Sequence, residues 1–590
     1  MFVRSHVRMT HLGAVACVLC LASPGPVRRE DPSVARPAPL PGETRGEVAP
    51  EPKPVTVPIY GWSTGRLIEY LGDSAPESAE GRSAGTGAVP VDVSLAPDPL
   101  ALSKFHFFKL SPPVQIPRAP EPDVEPSVGA STSGVLLEGN MRYLGLGYGP
   151  RFYISYNYGA SWQPASAPGG SLNGSNFTCA STKVGPPKCN CPGNLFVGYS
   201  SVSDVVIAPS GPSSFLMTYA LFDCVSGPCP GADAIYVMWS DTGLHQRPNG
   251  LCDVLGTFGN LKSCELCHFG TADAGPLRDK PFITADLLDG SWYVVYASSQ
   301  SPLATTMDIR LAGYSSALGF LGFGVSSPIT LNTAAPNARV GAVAATGPSS
   351  ELYVAWWDLT QSTIQFNASF DMAQSFGGEQ MVTAVQPFPL VPFGGGSIYV
   401  LPPQGSGVNG GFRMNQFPTM DVDRGPGGHR GRIYIAWADY DGVQSDILLI
   451  HSDDQGFSWS APVVINDDGT GRDQFFPALT VDDGGNVMVA FYDRRDDPQN
   501  LLCRPYLAVS TDGGRSFLPN KALAQTLSDP TLWTVGGVTF FGDYMGIDAQ
   551  ILKPNVLAAT TTSVPRASAV WTDAMNFATQ HFEIYGRTVR

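Results

Sequence analysis

The sequence predicts an all-β fold assembled from repeated four-stranded units, and three observations predict it. A strand–turn–strand pattern recurs at intervals of roughly 55 to 85 residues. Several copies close on a turn of the form SxDxGxSW, and no long amphipathic helical period stands out in the 590 residues. Composition agrees. The chain is 43% hydrophobic, 10% aromatic and only 15% charged, and its 65 glycines and 52 prolines punctuate short apolar runs.

The clearest repeat spans 477–517 and reads PALTVDDGGNVMVAFYDRRDD followed by YLAVSTDGGRSF. Its parts recur over 418–459 as PTMDVD, RIYIAWADYDG and ILLIHSDDQGFSW, and over 351–376 as ELYVAWWDLTQS and IQFNASFDMAQSF. Weaker copies begin at Pro281, Val202 and Met545, and 141–162 supplies the first, so seven units are counted. Each predicts a strand, a glycine turn, a second strand ending on an acid, a third strand, and then the SxDxGxSW turn.

That turn is the most specific signal. Ser452, Asp454, Gly456, Ser458 and Trp459 match it in full. Ser510, Asp512, Gly514, Ser516 and Phe517 match with Phe for Trp. Ser155, Asn157, Gly159, Ser161 and Trp162 form a third copy, and Ser369, Asp371, Ser375 and Phe376 a fourth with Ala373 at the glycine. The acid accepts amide hydrogens of its own turn, the glycine takes positive φ, and the aromatic folds beneath. These aspartates are therefore read as staples of a hairpin, not as catalysts.

The turns resemble the Asp-boxes, or BNR repeats, of the sialidase superfamily, over about 128–590. The resemblance implies a β-propeller of four-stranded blades. Sialidases have six blades, whereas seven repeats are counted here. The last unit ends before a fourth strand, which a ring closed by an N-terminal strand would explain, because an open sheet edge needs a partner. No FRIP-like arginine motif is present; the chain looks most like bacterial superfamily members marked by DKPFITAD, FYDRRDDP and GDYMGIDA.

In such a fold, loops entering each first strand and loops after each second strand share one face. The first kind brings Arg278, Asp279, Lys280, Asn415, Gln416, Arg472, Asp473, Gln474, Asp543 and Tyr544. The second brings Asp223, Asp358, Asp439, Asp441, Asp493, Arg494, Arg495 and Asp496. Sialidase-type chemistry on this rim implies Tyr544 as nucleophile with Asp543 or Asp493 polarising it, and Asp279 or Asp473 as acid. Arg494 and Arg495 would grip an anion, with Arg278, Lys280, Gln416 and Gln474 in the substrate site. The competing reading has the same acids capping turns. Ca²⁺ among them is a further possibility, although no compact DxDxDG loop occurs.

The remaining expectations concern the chain's setting. Arg4 and Arg8 before the apolar run 12–22 read as an export signal (1–22), too short to span a bilayer. Ala14 to Cys17 loosely resemble a lipobox, which would place a lipid on Cys17. Residues 23–127, rich in Pro, Ala, Glu and Ser, are expected to be mostly linker, with 128–590 as the body. Eight cysteines, Cys179, Cys189, Cys191, Cys224, Cys229, Cys252, Cys264 and Cys267, cluster within about ninety residues, which predicts local disulfides in an oxidising compartment and leaves Cys503 odd. Cys264, Cys267 and His268 also spell CxxCH, the haem c attachment pattern, in a loop without helical period. A formal charge of -15 excludes a phosphate-backbone partner. The expectation is a secreted, periplasmic or cell-surface bacterial monomer without a transmembrane segment. Two functions compete: a sialidase-like glycoside hydrolase acting on glycoconjugates, and a non-catalytic propeller binding extracellular glycan or protein.

Overall fold

The computed structural model describes strands at 54–58 and 67–71 and most of 109–589. Segments 117–122, 144–147, 166–200, 223–233, 242–261, 265–276, 300–305, 322–326, 402–410, 550–566 and 574–581 and a few shorter stretches fall outside the description. The residues read as an export signal, Cys17, seven of the eight clustered cysteines and His268 lie outside it too; of Cys264 only the backbone, ending the strand Lys262–Cys264, is described.

Among the described residues there is no helix, and none long and apolar enough to cross a membrane. Seven antiparallel sheets of four or more strands follow one another along the chain. Their first strands are Asp123–Ala130 (sheet I), Ser201–Pro209 (II), Leu277–Ala285 (III), Arg339–Thr346 (IV), Thr419–Val422 (V), Gln474–Val481 (VI) and Gly546–Ala549 (VII). Second strands such as Trp292–Ser299, Leu352–Asp358 and Val487–Asp493 are buried along their whole length, so near-continuous apolar runs, not alternation, mark them.

Sheet VII takes its fourth strand from far away. Val114–Gln115 pairs with Glu583–Val589, Val114 opposite Gly586, and Ser111 and Thr588 exchange two further bonds of 3.0 Å. Both Val114–Gln115 and the start of sheet I at Asp123 fall inside the stretch whose composition reads as linker.

First strands of successive sheets lie side by side, and that of VII lies against that of I. Polar bonds link each of these neighbouring pairs. The Ile207 amide donates to Ser127 Oγ (3.0 Å), Lys280 pairs with Asp204, and Thr346 Oγ1 donates to the Ala285 carbonyl (3.3 Å). Arg424 Nε reaches the Thr346 carbonyl (2.8 Å), the Val481 amide reaches Asp421 (2.8 Å), the Ala549 amide reaches Thr480 Oγ1 (3.0 Å), and the Ala130 amide reaches Asp548 (2.7 Å).

Register fixes two ends for every sheet. At one end lie the SxDxG turns: the amides of Gly159, Ala373, Gly456 and Gly514 donate to the serine four residues earlier at 2.8–2.9 Å. The amides of Ser161, Ser375, Ser458 and Ser516 donate to the Asn or Asp four residues earlier at 2.8–3.0 Å. Ala373 takes φ +67°, the conformation glycine supplies in the other copies. Trp459 packs edge-on against Phe366 of the neighbouring sheet, 5.3 Å between centroids.

At the opposite end, five first strands carry a bulge at the same place. Pairing skips between Val124 and Ser127, Ser203 and Val206, Asp279 and Phe282, Val340 and Val343, and Phe475 and Ala478. The bulged residue has positive φ each time: Glu125 56°, Asp204 57°, Lys280 49°, Gly341 64° and Phe476 49°. A non-glycine residue held there carries backbone strain of about 1–3 kcal/mol, so the surroundings must over-determine it. At Gly341 a Cβ would overlap the Phe417 ring, which explains the glycine. Three bulges continue into proline (Pro126, Pro281, Pro477), which withholds a ladder donor where the ladder is already broken.

Candidate functional site

Three of the bulged residues, Glu125, Asp204 and Lys280, bring their side chains together. Lys280 is 4% exposed, and its ammonium bonds to Asp204, to Asp543 Oδ2 (2.6 Å) and, more distantly, to Glu125 Oε1 (3.9 Å). Arg413 ends the inserted sheet formed by Leu390–Phe393, Gly396–Leu401 and Phe412–Arg413. Its guanidinium forks onto Asp543, Nε to Oδ1 at 3.2 Å and Nη2 to Oδ2, and stacks over Phe540 at 4.7 Å. Asn415 Nδ2 donates to the Asp543 carbonyl (2.9 Å), and Ser203 Oγ donates to Asp204. The Lys280 ammonium also sits over the Phe417 and Tyr544 rings, 5.9 and 5.8 Å from their centroids.

Burial sets the charge states. It works to raise the Asp543 carboxyl, but Arg413 and Lys280 prevail and hold it below the usual range. Burial would depress Lys280, and Asp204 and Asp543 instead keep its ammonium charged. Glu125 and Asp279 have no such fork. Burial holds both well above the carboxylate range, only partly opposed by Lys280, which favours the protonated acid. Burial and neighbouring carboxylates, Glu125 first, also push the Tyr544 phenol up. Both oxygens of Glu125, both of Asp279 and the Tyr544 hydroxyl are buried without a hydrogen-bond partner among the described residues. Oxygens of Glu125, Asp204 and Asp543 come within 4.8 Å of one another, a spacing that suits a metal ion. The Lys280 ammonium reaches all three, so the chain supplies its own cation there.

A cavity of about 650 Å³ runs from this cluster between the first strands, and all seven sheets line it. Asp204, Lys280, Asn415, Asp543 and Tyr544 stand at the bulge end. Val206, Ile283, Val343, Met420, Leu479 and Ile547 form the walls. At the turn end the lining reaches the surface at Pro426, Arg430 and Leu288, the last 67% exposed.

Of the residues singled out in the sequence, Asp279, Lys280, Asn415, Asp543 and Tyr544 come together here, and Asp223 lies outside the described residues. Those that follow do not. Arg494 packs over Phe412 and Phe475 and pairs with Asp473 (3.4 Å), which also accepts from Asn500 and from the Ser445 amide. Arg495 wraps Asp493 (Nε to Oδ2, 2.8 Å), reaches Asp467 (2.5 Å) and lies 4.3 Å over the Tyr506 ring. Burial pushes Asp493 up to about 6 against the pull of Arg495. Gln416 bonds the carbonyls of Gln386 and Ala438, Gln474 Nε2 bonds Asp468, and Arg278 bonds the Leu277 carbonyl. Asp358 and Asp439 accept from Asn337 and from the Gln386 amide. Cys503 is a buried free thiol.

Glu125, Asp204 and Arg413 are the site residues that sequence reading passes over. One signal was available: a charged residue directly before proline at the head of a repeat unit, as in Glu125-Pro126 and Lys280-Pro281.

No family model matches the chain, and no curated protein matches it. Among solved structures it is similar to a protein of unknown function from Dyadobacter fermentans, with 11% identity and a TM-score of 0.36 over 82% of this chain and 99% of that one. It is also similar to an ulvan lyase bound to a glucuronate–sulfated rhamnose ligand, with 10% identity and a TM-score of 0.41 over 81% and 95%. The intramolecular trans-sialidase of Ruminococcus gnavus gives 10% identity and a TM-score of 0.36 over 79% and 94%. Likeness this distant transfers no residue role.

Proposed function

We propose that the chain is an exported, sialidase-like β-propeller, its seven sheets closing as blades around one channel, and that it binds a ligand there without hydrolysing it. The observation that carries this reading is a cavity to which every first strand contributes and which ends beside the Tyr544 hydroxyl, a buried polar group without a partner among the described residues. The linked first strands support closure, and the SxDxG turns are read as Asp-boxes. Against hydrolysis stand the spent cations: Lys280 and Arg413 are matched by Asp204 and Asp543, Arg494 by Asp473, and Arg495 by Asp493 and Asp467. No described arginine trio is left to grip a carboxylate, and the phenol that a nucleophile must ionise is held neutral.

A second reading, glycoside hydrolysis, is favoured by one observation: Tyr544 shares its buried site with two raised acids, Glu125 and Asp279, the group types a glycosidase needs. Purified protein offered a panel of aryl glycosides that includes the sialoside should release no aryl alcohol. Steady turnover that disappears in Tyr544→Phe or Glu125→Gln would replace the binding reading with the hydrolytic one.

A further inference from the structure

Resting on the channel-binding reading, we infer that the ligand is an uncharged amphiphile, a linear aliphatic chain ending in a hydroxyl, which enters at the SxDxG-turn end and seats its hydroxyl against Tyr544. Four features lead there. Between Phe282 and Leu287 the lining mixes aliphatic side chains with Asp421, Thr480 and Asp548, but these three are engaged in bonds between neighbouring first strands, so the surface left to a guest there is mainly apolar. The two ends differ in access, for Lys280, Asp204 and Asp543 are at most 4% exposed while Leu288 stands 67% exposed at the other mouth. A solute therefore meets the turn end first.

Length fits as well. From Lys280 to Leu287 the first strand of sheet III and its continuation cover roughly 20 Å at ~3.3 Å per residue, which calls for a narrow, extended guest. Finally, the blind end selects the head group. Each cation there already holds a carboxylate, so an added carboxylate would be buried unmatched, and the unpartnered acids Glu125 and Asp279 stand outside the cavity lining, so an ammonium would find no counter-charge either. The Tyr544 hydroxyl, buried and without a partner among the described residues, lacks one neutral hydrogen-bonding group. A hydroxyl, which donates and accepts, supplies it.

The test uses the full chain and 1-decanol as probe, read by displacement of the fluorescent reporter N-phenyl-1-naphthylamine, with decanoate, decylamine and methyl glucoside as comparisons. Decanol should displace the reporter at least tenfold more effectively than decanoate or decylamine. Tyr544→Phe should weaken decanol about threefold to tenfold more than it weakens the reporter, the share of one hydrogen bond. Ala345→Trp, which fills the channel, should abolish binding of both. Leu288→Glu, at an exposed position that folding tolerates, should slow their association.

Decanol and decanoate of equal strength, or binding indifferent to both Ala345→Trp and Leu288→Glu, would overturn the inference. Methyl glucoside binding blocked by Ala345→Trp, with no decanol binding, would remove the amphiphile and leave the channel-binding reading standing. Glycoside turnover without any decanol binding would remove both.

Discussion

The two ends of the same seven sheets handle carboxylates in opposite ways. At the turn end each acid is satisfied locally: Asp512 accepts from the Ser516 amide, Ser516 Oγ and Ser510 Oγ within one hairpin. Partial burial would raise it, but those bonds prevail and hold it below its usual range. At the bulge end Glu125 and Asp279 have no local donors, so burial dominates and both are pushed up. A carboxylate in a hairpin stabilises its fold by being ionised; one gathered from distant strands is tolerated by staying protonated unless a cation faces it.

The largest test of that contrast is Lys280→Met. It strips Asp543 and Asp204 of their buried cation, and breaking such a group from one side costs about 3–5 kcal/mol. Urea unfolding at neutral pH should show a loss of that order; a loss below about 1 kcal/mol would mean the cluster is wetter than its burial indicates.

Next comes pH. An acid whose folded pKa lies above its unfolded value keeps its proton in the native state after the unfolded chain has lost it, so stability falls as pH rises above about 4.5. One such group contributes a slope of up to about 1.4 kcal/mol per pH unit until its folded pKa is reached. Glu125→Gln should flatten the decline in urea midpoint between pH 5 and 8 and leave the variant more stable than the parent at pH 8. An unchanged profile would show Glu125 ionised in the native state.

The smallest effect belongs to the turn end. Asp512→Ala should cost about 1–2 kcal/mol at pH 7, for the loss of hydrogen bonds within a partly exposed hairpin. Because the folded pKa of Asp512 is depressed, its contribution is present above about pH 4 and is lost as pH falls through the folded value. Parent and variant should therefore converge in acid, the reverse of the trend for Glu125.

The fold was legible in the sequence to the degree that its determinants are local. Ser452 to Trp459 and Ser510 to Phe517 bond within eight residues, so their pattern survives in one dimension and repeats at intervals. The site was half legible. Asp279, Lys280, Asp543 and Tyr544 stand where the repeat puts the entry to a first strand. Glu125 was hidden because its strand begins inside a Pro- and Glu-rich stretch, and Arg413 because it comes from an inserted sheet with no counterpart in the repeat. Arg494 and Arg495 drew attention as an adjacent pair beside acids, but adjacency does not say where a guanidinium points; one turns to Asp473 and the other to Asp493.

Sheet VII joins Val114–Gln115 to Glu583–Val589, and that pairing bears on biogenesis. A strand made early must remain unclaimed until nearly five hundred further residues have been synthesised, and the entropy of closing so long a loop falls on the final step. The first six sheets can assemble in order as the polypeptide emerges, but the seventh is a clasp that only a finished chain can fasten. Nicking the polypeptide just after Gln115 would leave most of the fold's contacts intact and still release that clasp.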